Sequence, residues 1–312
     1  MDVLFIGDPH IQLKHLATAR VMIDRLETLA NCQSPAIIVI AGDLLHNHER
    51  IHTTEMNVAI DLVRRMRTIA PTFVLVGNHD YIQNCQFLTT NHWMNALKDW
   101  DGVTIVDEVI TRTYDRHGRT FVFVFVPYVP CGRFVEALDT CGTTWTSATC
   151  IFAHQEFRGC NMGAIVSETG DVWDTGYPHV VSGHIHGTQT VGRNVYYPGT
   201  PMQHTFGEGD NKRVSMLSFE ASNEASNEAP YTTFAHDLGL PRKRTVHLTT
   251  TQAESYDVHA DVADNGDTFR YVITGTTTQI DGYRDSGAYA NMIASASKIV
   301  LKRGGADDKG ST

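Results

Sequence analysis

The sequence predicts an α/β (α+β) protein in which two stacked mixed β-sheets are flanked by helices and followed by a small C-terminal α+β unit. Three observations carry that reading. Short β-branched runs alternate with amphipathic stretches through residues 1–80, which builds parallel strands joined by crossover helices. Strand-like runs then come closer together with fewer helices between them, as a second sheet stacked on the first requires. At residues 222–229 the tetrapeptide Ser-Asn-Glu-Ala occurs twice and leads into Pro230. We read 222–230 as a loop or linker between a main domain at 1–221 and a cap at 231–312.

Taken in order, the first strand is Val3–Ile6, ending in Gly7-Asp8-Pro9-His10. Leu16, Ala19, Met22, Ile23, Leu26 and Ala30 then fall on one helical face. Ile37–Ile40 is the second strand, ending in Gly42-Asp43-Leu44-Leu45-His46, and Met56, Ala59, Ile60, Val63 and Met66 mark the second helix. Phe73–Val76 ends in Gly77-Asn78-His79-Asp80. The closely spaced strands are Val103–Val106, Thr120–Val126, Thr149–Phe152, His179–Ser182, Thr188–Val191 and Val195–Tyr197. In the cap we expect a strand at Phe269–Ile273, a helix at Ser286–Leu301 and a polar tail after Arg303.

In parallel sheets the polar site lies beyond the carboxyl ends of the strands, and here those ends carry metal-compatible residues. Asp8 and His10 are two apart, so an extended backbone sends both side chains the same way. The two oxygens of Asp43 can bridge two cations. Asn78 offers a neutral hard oxygen, His79 can hand over a proton, and Asp80 can hold the His79 tautomer. Gly183-His184-Ile185-His186 repeats the two-apart spacing. Any one of these alone is a polar turn, a solvated acid or a pair of surface histidines. Their concurrence in one chain, with 13 of its 16 histidines at or before His204, favours a metal centre.

The run Asp8-x-His10, Gly42-Asp43-x-x-His46, Gly77-Asn78-His79-Asp80, a lone histidine, and Gly183-His184-x-His186 resembles the five motifs of the calcineurin-like metallophosphoesterases, in order. The lone histidine is read as His154, which ends the strand Ile151-Phe152-Ala153, with His179 and His204 as competitors. Within them it is similar to the SbcD-type DNA double-strand-break repair nucleases, on two grounds. His46 stands three residues past Asp43, where protein phosphatases carry a Gly-Asp-x-Val-Asp-Arg-Gly motif, and Tyr197-Pro198-Gly199-Thr200-Pro201 precedes Phe206-Gly207-Glu208.

The resemblance implies a calcineurin-like phosphoesterase fold and a two-metal DNA nuclease. One cation would be held by Asp8, His10, Asp43 and His186, the other by Asp43, Asn78, His154 and His184. His79 would protonate the leaving oxygen, His46 would contact the phosphate, and Asp80 would support His79. Manganese is favoured, with Fe, Ni, Zn or Mg as alternatives. DNA, a second copy of the chain and a coiled-coil ATPase of the SbcC type are the implied partners. The residues themselves keep a small-molecule phosphodiesterase and a non-catalytic metal scaffold in view.

Other features exclude or temper. The formal charge of -10 argues against nonspecific DNA binding, although Arg242-Lys243-Arg244 and Lys298–Arg303 could line a phosphate path. No phosphate-cradling G-x-x-x-x-G-K-S/T motif occurs. The six cysteines form no C-x-x-C pair and read as reduced core or near-core thiols of a cytoplasmic protein. The start shows no basic leader, and the longest apolar run, Phe121–Val129, is too short to span a bilayer, so no membrane is expected. Trp93, Met94, Leu97 and Trp100 share helical spacing, which suits a dimer surface or the core equally.

Overall fold

A computed structural model describes residues 1–116, 118–219, 229–261, 266–295 and 298–304. The Ser-Asn-Glu-Ala repeat, as far as residue 228, and the polar tail from 305 onward lie outside them. The strands are β1 (Asp2–Ile6), β2 (Ile37–Ile40), β3 (Thr72–Leu75), β4 (Val103–Val106), β5 (Ile110–Arg116), β6 (Arg119–Val126), β7 (Cys150–His154), β8 (Val180–Gly183), β9 (Gln189–Val191), β10 (Val195–Tyr197), β11 (Val214–Ser218), β12 (Thr232–His236), β13 (Lys243–Thr249), β14 (Thr268–Gly275) and β15 (Lys298–Arg303). The helices are α1 (Leu16–Gln33), α2 (Thr53–Arg67), α3 (Phe134–Asp139), α4 (Thr250–Glu254), α5 (Thr277–Arg284) and α6 (Gly287–Ser295).

Two six-stranded sheets stand in the orders β12-β11-β1-β2-β3-β4 and β5-β6-β7-β8-β10-β9. Strands β1 to β4 pair in parallel, as the β-α-β pattern requires, and β11 and β12 close that sheet antiparallel. In the second sheet β6, β7, β8 and β10 run parallel, with antiparallel β5 and β9 at its edges. Period-2 alternation decides what each sheet buries. Val3, Phe5, Ile37, Val39, Phe73 and Leu75 of the first sheet meet Phe121, Phe123, Phe125, Phe152 and Val181 of the second. The Phe73 and Phe125 rings stack at 4.1 Å across that layer. On the outer face of the second sheet, Val124, Val126, Ile151 and Ala153 pack on Phe134, Leu138 and Trp145.

Helix α1 buries Ala19, Met22, Ile23, Leu26 and Ala30, the face expected of it. In α2 the buried face is Glu55, Val58, Ala59, Leu62, Val63 and Met66, rotated from the expected one, and Met56 and Ile60 sit at its margin. Glu55 explains the rotation: its carboxylate accepts the Leu13 backbone N–H at 2.6 Å, so a charged residue faces inward. Trp93–Asp99 winds as a short 3₁₀ helix; Met94 and Leu97 are core residues, and Arg67 covers the Trp100 ring at 4.9 Å.

The chain divides into two compact units, Met1–Met202 with Asn211–Gly239, and Gln203–Asp210 with Leu240–Thr312. This differs from boundaries at 221 and 230. Strand β12, expected in the cap, pairs along its length with β11 and so extends the first sheet. The second unit holds the parallel sheet β13-β14-β15 and a core of Leu248, Tyr271, Ile273, Ile280, Tyr283 and Met292. The expected helix Ser286–Leu301 is corrected: α6 ends at Ser295, and Lys298–Arg303 is a strand paired with β14. Its Ile299-Val300-Leu301 centre is apolar, with two β-branched residues, and ladder pairing outweighs continuation of the helix.

Cys150 and Cys160 are buried as expected, whereas Cys32, Cys85 and Cys131 are exposed, which corrects the core reading for those three. Among the described residues no helix is long and apolar enough to cross a membrane.

Candidate metal centre

The loops after β1, β2, β3 and β8 converge with the end of β7, and they bring all seven predicted ligand residues together. Asp8, His10 and His186 form one group and Asp43, His154 and His184 another, with the candidate ligand atoms of each within 4.8 Å of one another. The Asn78 Oδ1 faces both His184 Nδ1, at 2.9 Å, and His154 Nε2, at 3.1 Å. Asp43 joins the two groups, since its Oδ2 lies 3.4 Å from His10 Nε2 and 3.4 Å from His154 Nε2. Asp8, His10, Asp43, Asn78 and His154 are buried.

Backbone geometry adds an independent mark. Among the described residues, the non-glycine residues with positive φ are His10, Ser34, Asp43, Leu88 and His184. Three of those five belong to this cluster, and strained conformations persist where surrounding structure enforces them, typically at functional sites. Glycines make room for the crowding. A Cβ on Gly77 would stand 2.2 Å from Asp43 Oδ1, and one on Gly183 would stand 2.5 Å from Asp8 Oδ1.

The donor set fits divalent cations. It mixes carboxylate, amide and imidazole ligands, suited to Mn, Fe, Ni or Zn, and the imidazoles are aimed by partners outside the cluster. His154 Nδ1 is 2.7 Å from the Ala41 carbonyl, which leaves Nε2 for a ligand. His184 Nε2 points to Glu156 at 3.9 Å, leaving Nδ1 inward. His10 and His186 bring their Nε2 atoms to 3.0 Å, where two neutral lone pairs repel unless a proton or cation stands between them.

From the protein groups alone, burial would raise the Asp43 carboxyl, but His154, then His10 and His79, hold it well below the usual range. Burial opposes a charged His154, yet Asp43 and Asp8 lift it to about 9. The Asp8 carboxyl is raised, by burial first and then by Asp43, with the nearby histidines opposing. A buried acid-rich cradle of this kind holds positive charge, and a divalent ion supplies more of it than a proton.

The three residues expected to act beside the cations fare differently. His79 Nδ1 is 2.6 Å from the His46 carbonyl, and its backbone N–H donates to Asp43 Oδ1 at 2.8 Å. His46 is exposed, its ring 5.4 Å from that of His10. The expected support of His79 by Asp80 is corrected. Asp80 accepts from Gly77 N, Leu44 N and Trp93 Nε1, at 3.0, 3.2 and 3.1 Å, so it ties the loops after β2 and β3 together. Burial, then Asp43, pushes the Asp80 carboxyl up to about 7. The tautomer-holding partner of His79 is a backbone carbonyl, because the tight turn from Gly77 points Asp80 back at its own N-terminal amide.

Sequence reasoning missed His48, whose ring stacks on His79 at 4.5 Å, and Glu156 behind His184. The two-apart spacing of His46 and His48 was the available signal. In the basic runs of the second unit, Arg244 pairs with Asp267, and Arg303 with Asp281 at 2.7 Å. Lys298 and Lys302 remain exposed on β15.

This chain belongs to the calcineurin-like phosphoesterase family, whose model matches residues 1–188. It is thus a metal-dependent phosphoester hydrolase of that fold. Two viral relatives extend the likeness beyond the matched region. The chain is 40% identical over 304 residues to "Putative phosphoesterase 078R" of Invertebrate iridescent virus 3, which covers 97% of this chain and 84% of that one. It is 45% identical over 248 residues to "Putative phosphoesterase 244L" of Invertebrate iridescent virus 6, covering 79% and 85%. A solved structure described as "GAP50 the anchor in the inner membrane complex of Plasmodium" matches with TM-score 0.44 and 12% identity, over 76% of this chain and 88% of that one.

Proposed function

We propose that this protein is a manganese-dependent DNA nuclease of the SbcD type, hydrolysing phosphodiester bonds at the cluster described above. The observation that carries the reading is the His46 ring, three residues past Asp43, which stands 5.4 Å from the His10 ring and stacks on that of His79 at 5.6 Å, beside the cluster. Asp8, His10, Asp43 and His186 would hold one cation, and Asp43, Asn78, His154 and His184 the other. When bound, the pair lowers the pKa of a water and offsets charge on the phosphate.

The remaining chemistry belongs to the chain. With Nδ1–H donated to the His46 carbonyl, His79 presents Nε2 to the leaving 3′ oxygen. Burial lowers the His79 pKa, so an arriving phosphodiester anion is needed to favour the second proton. The exposed His46 ring steers the phosphate.

The formal charge of -10 and the pairing of Arg244 and Arg303 with aspartates favour a second reading, a phosphodiesterase for small diesters. Purified protein with Mn²⁺ is offered labelled duplex, single-stranded DNA and bis-p-nitrophenyl phosphate. Cleavage of either DNA supports the nuclease; turnover of the small diester alone refutes it in favour of the second reading. His79→Ala should keep its Mn²⁺ and lose ~10²–10⁴-fold in turnover; a variant that turns over like wild type removes His79 from the reaction.

A further inference from the structure

Lys212 is 2% exposed, and lysine is almost never buried to that degree without partners. Its Nζ donates to the Thr200 Oγ1 at 2.8 Å and to the His186 carbonyl at 3.2 Å. Thr200 is itself fully buried and donates to the Met202 carbonyl at 2.9 Å. The backbone N–H of Arg213 reaches the Thr200 carbonyl at 3.1 Å. Lys212 therefore sits where the segment Tyr197–Pro201 is pinned from one side, with its charge directed at the backbone of a cluster residue.

That segment touches the cluster elsewhere too. A Cβ on Gly7, the residue before Asp8, would stand 1.9 Å from the Gly199 carbonyl oxygen, so the end of β1 packs directly on it. Gly199 has φ of 84°, and a Cβ there would meet the His186 carbonyl at 3.0 Å. Thr188 Oγ1 donates to the Pro198 carbonyl at 2.8 Å, fastening the stretch after His186 to the same segment. Both Asp8 and His186, two of the three residues of one ligand group, are thus placed by contacts of Gly199 and its neighbours. A Met or Leu would fill the space of Lys212 without the cost of burying an ammonium, so the N–H donors are what the position uses.

We infer that Lys212 is a positioning residue for the cation of the Asp8, His10 and His186 group, acting through the His186 carbonyl and the Thr200 hydroxyl. It fixes the backbone at 186 so that the imidazole meets His10. This rests on the two-cation reading given above. It also assigns a role to Tyr197–Pro201, which forms the frame against which Lys212 holds His186. The Asp43, His154 and His184 group does not depend on it.

The test titrates Mn²⁺ calorimetrically into full-length wild type and the variants Lys212→Met, Lys212→Arg, Thr200→Val and His186→Ala. Thermal melting of each Mn-free protein is recorded alongside. Wild type should bind two ions. Lys212→Met should weaken, by ~10–100-fold, the binding event that His186→Ala removes, and leave the other within about threefold. Lys212→Arg should restore most of it, and Thr200→Val should show a smaller loss of the same event. If Lys212→Met does not fold, Thr200→Val carries the same readout.

Wild-type affinities at both sites in Lys212→Met or, where that fails to fold, in Thr200→Val, with melting alone lowered, overturn the inference and leave the two-cation reading intact. Equal weakening at both sites overturns it as well. A wild type that binds no Mn²⁺ overturns the two-cation reading and this inference together.

Discussion

Replacing Gly77 by Ala tests the claim that Asp43 is positioned by crowding. The added methyl carbon would stand 2.2 Å from Asp43 Oδ1, 2.4 Å from Asp43 N and 2.9 Å from its Cγ. Ordinary van der Waals contact begins at 3.4 Å, so carbon and carboxylate oxygen must part by about 1.2 Å. Neither neighbour can yield cheaply, since one is backbone and the other a buried carboxylate joined to His10, His154 and the His79 amide. Overpacking of this kind costs about 1–3 kcal/mol of stability. A displacement of ~1 Å at a group that aligns reactants costs about 10²-fold in rate. The assay is Mn²⁺-dependent turnover of a chromogenic diester, with urea unfolding of the same samples and metal content by elemental analysis. The expected variant is folded, somewhat less stable, and slower by about two orders of magnitude. A Gly77→Ala protein with turnover within threefold of wild type would refute the reasoning, because Asp43 would then tolerate a shift that the geometry forbids.

Two further outcomes follow from the packing. Phe152 is fully buried between Phe123 and Phe125, each at 5.4 Å, so Phe152→Ala should lower urea-unfolding stability by about 3–5 kcal/mol through a cavity between the sheets. For Asp107, burial raises the carboxyl, but hydrogen bonds from His92 and Lys98 overcome it and leave the pKa below its ordinary value. A depressed folded pKa gives stability that is present above the unfolded value near ~3.9 and lost as pH falls through the folded one. Melting curves across pH 3–7 should show that acid loss in wild type and a flatter arm in Asp107→Asn; identical acid arms would count against it.

The seven ligand candidates were legible because six of them follow an apolar run closed by glycine, His154 directly ends the run Ile151–Ala153, and the strand order sends those ends to one edge. The closer spacing of the later strand runs likewise pointed to a second sheet stacked on the first, which the layer of Phe5, Phe73, Phe125 and Phe152 joins. What stayed hidden depends on contacts between segments far apart in sequence. Asp80 looks like a partner for its neighbour His79, yet its three donors come from Leu44, Gly77 and Trp93. Lys212 reads as a surface lysine ahead of a strand, and only the fold buries it against His186. Lys298–Arg303 looked like a helix end because nothing local in the sequence announces β14 as its neighbour.

The second compact unit is entered twice by the chain, first at Gln203–Asp210 and again from Leu240. Deleting everything after residue 239 therefore would not excise a module. Gln203 grips Lys243 through its backbone, accepting from Lys243 N at 2.6 Å, and Arg270 donates to the Phe206 carbonyl at 3.3 Å, so a truncation strands the first segment. Dissection should instead cut at both necks and splice Met202 to Asn211 with a tight turn, where the Arg213 to Thr200 bond already draws the ends together. The same geometry bears on descent: the two segments pack as one unit, so a loss of it in a relative should remove both pieces at once.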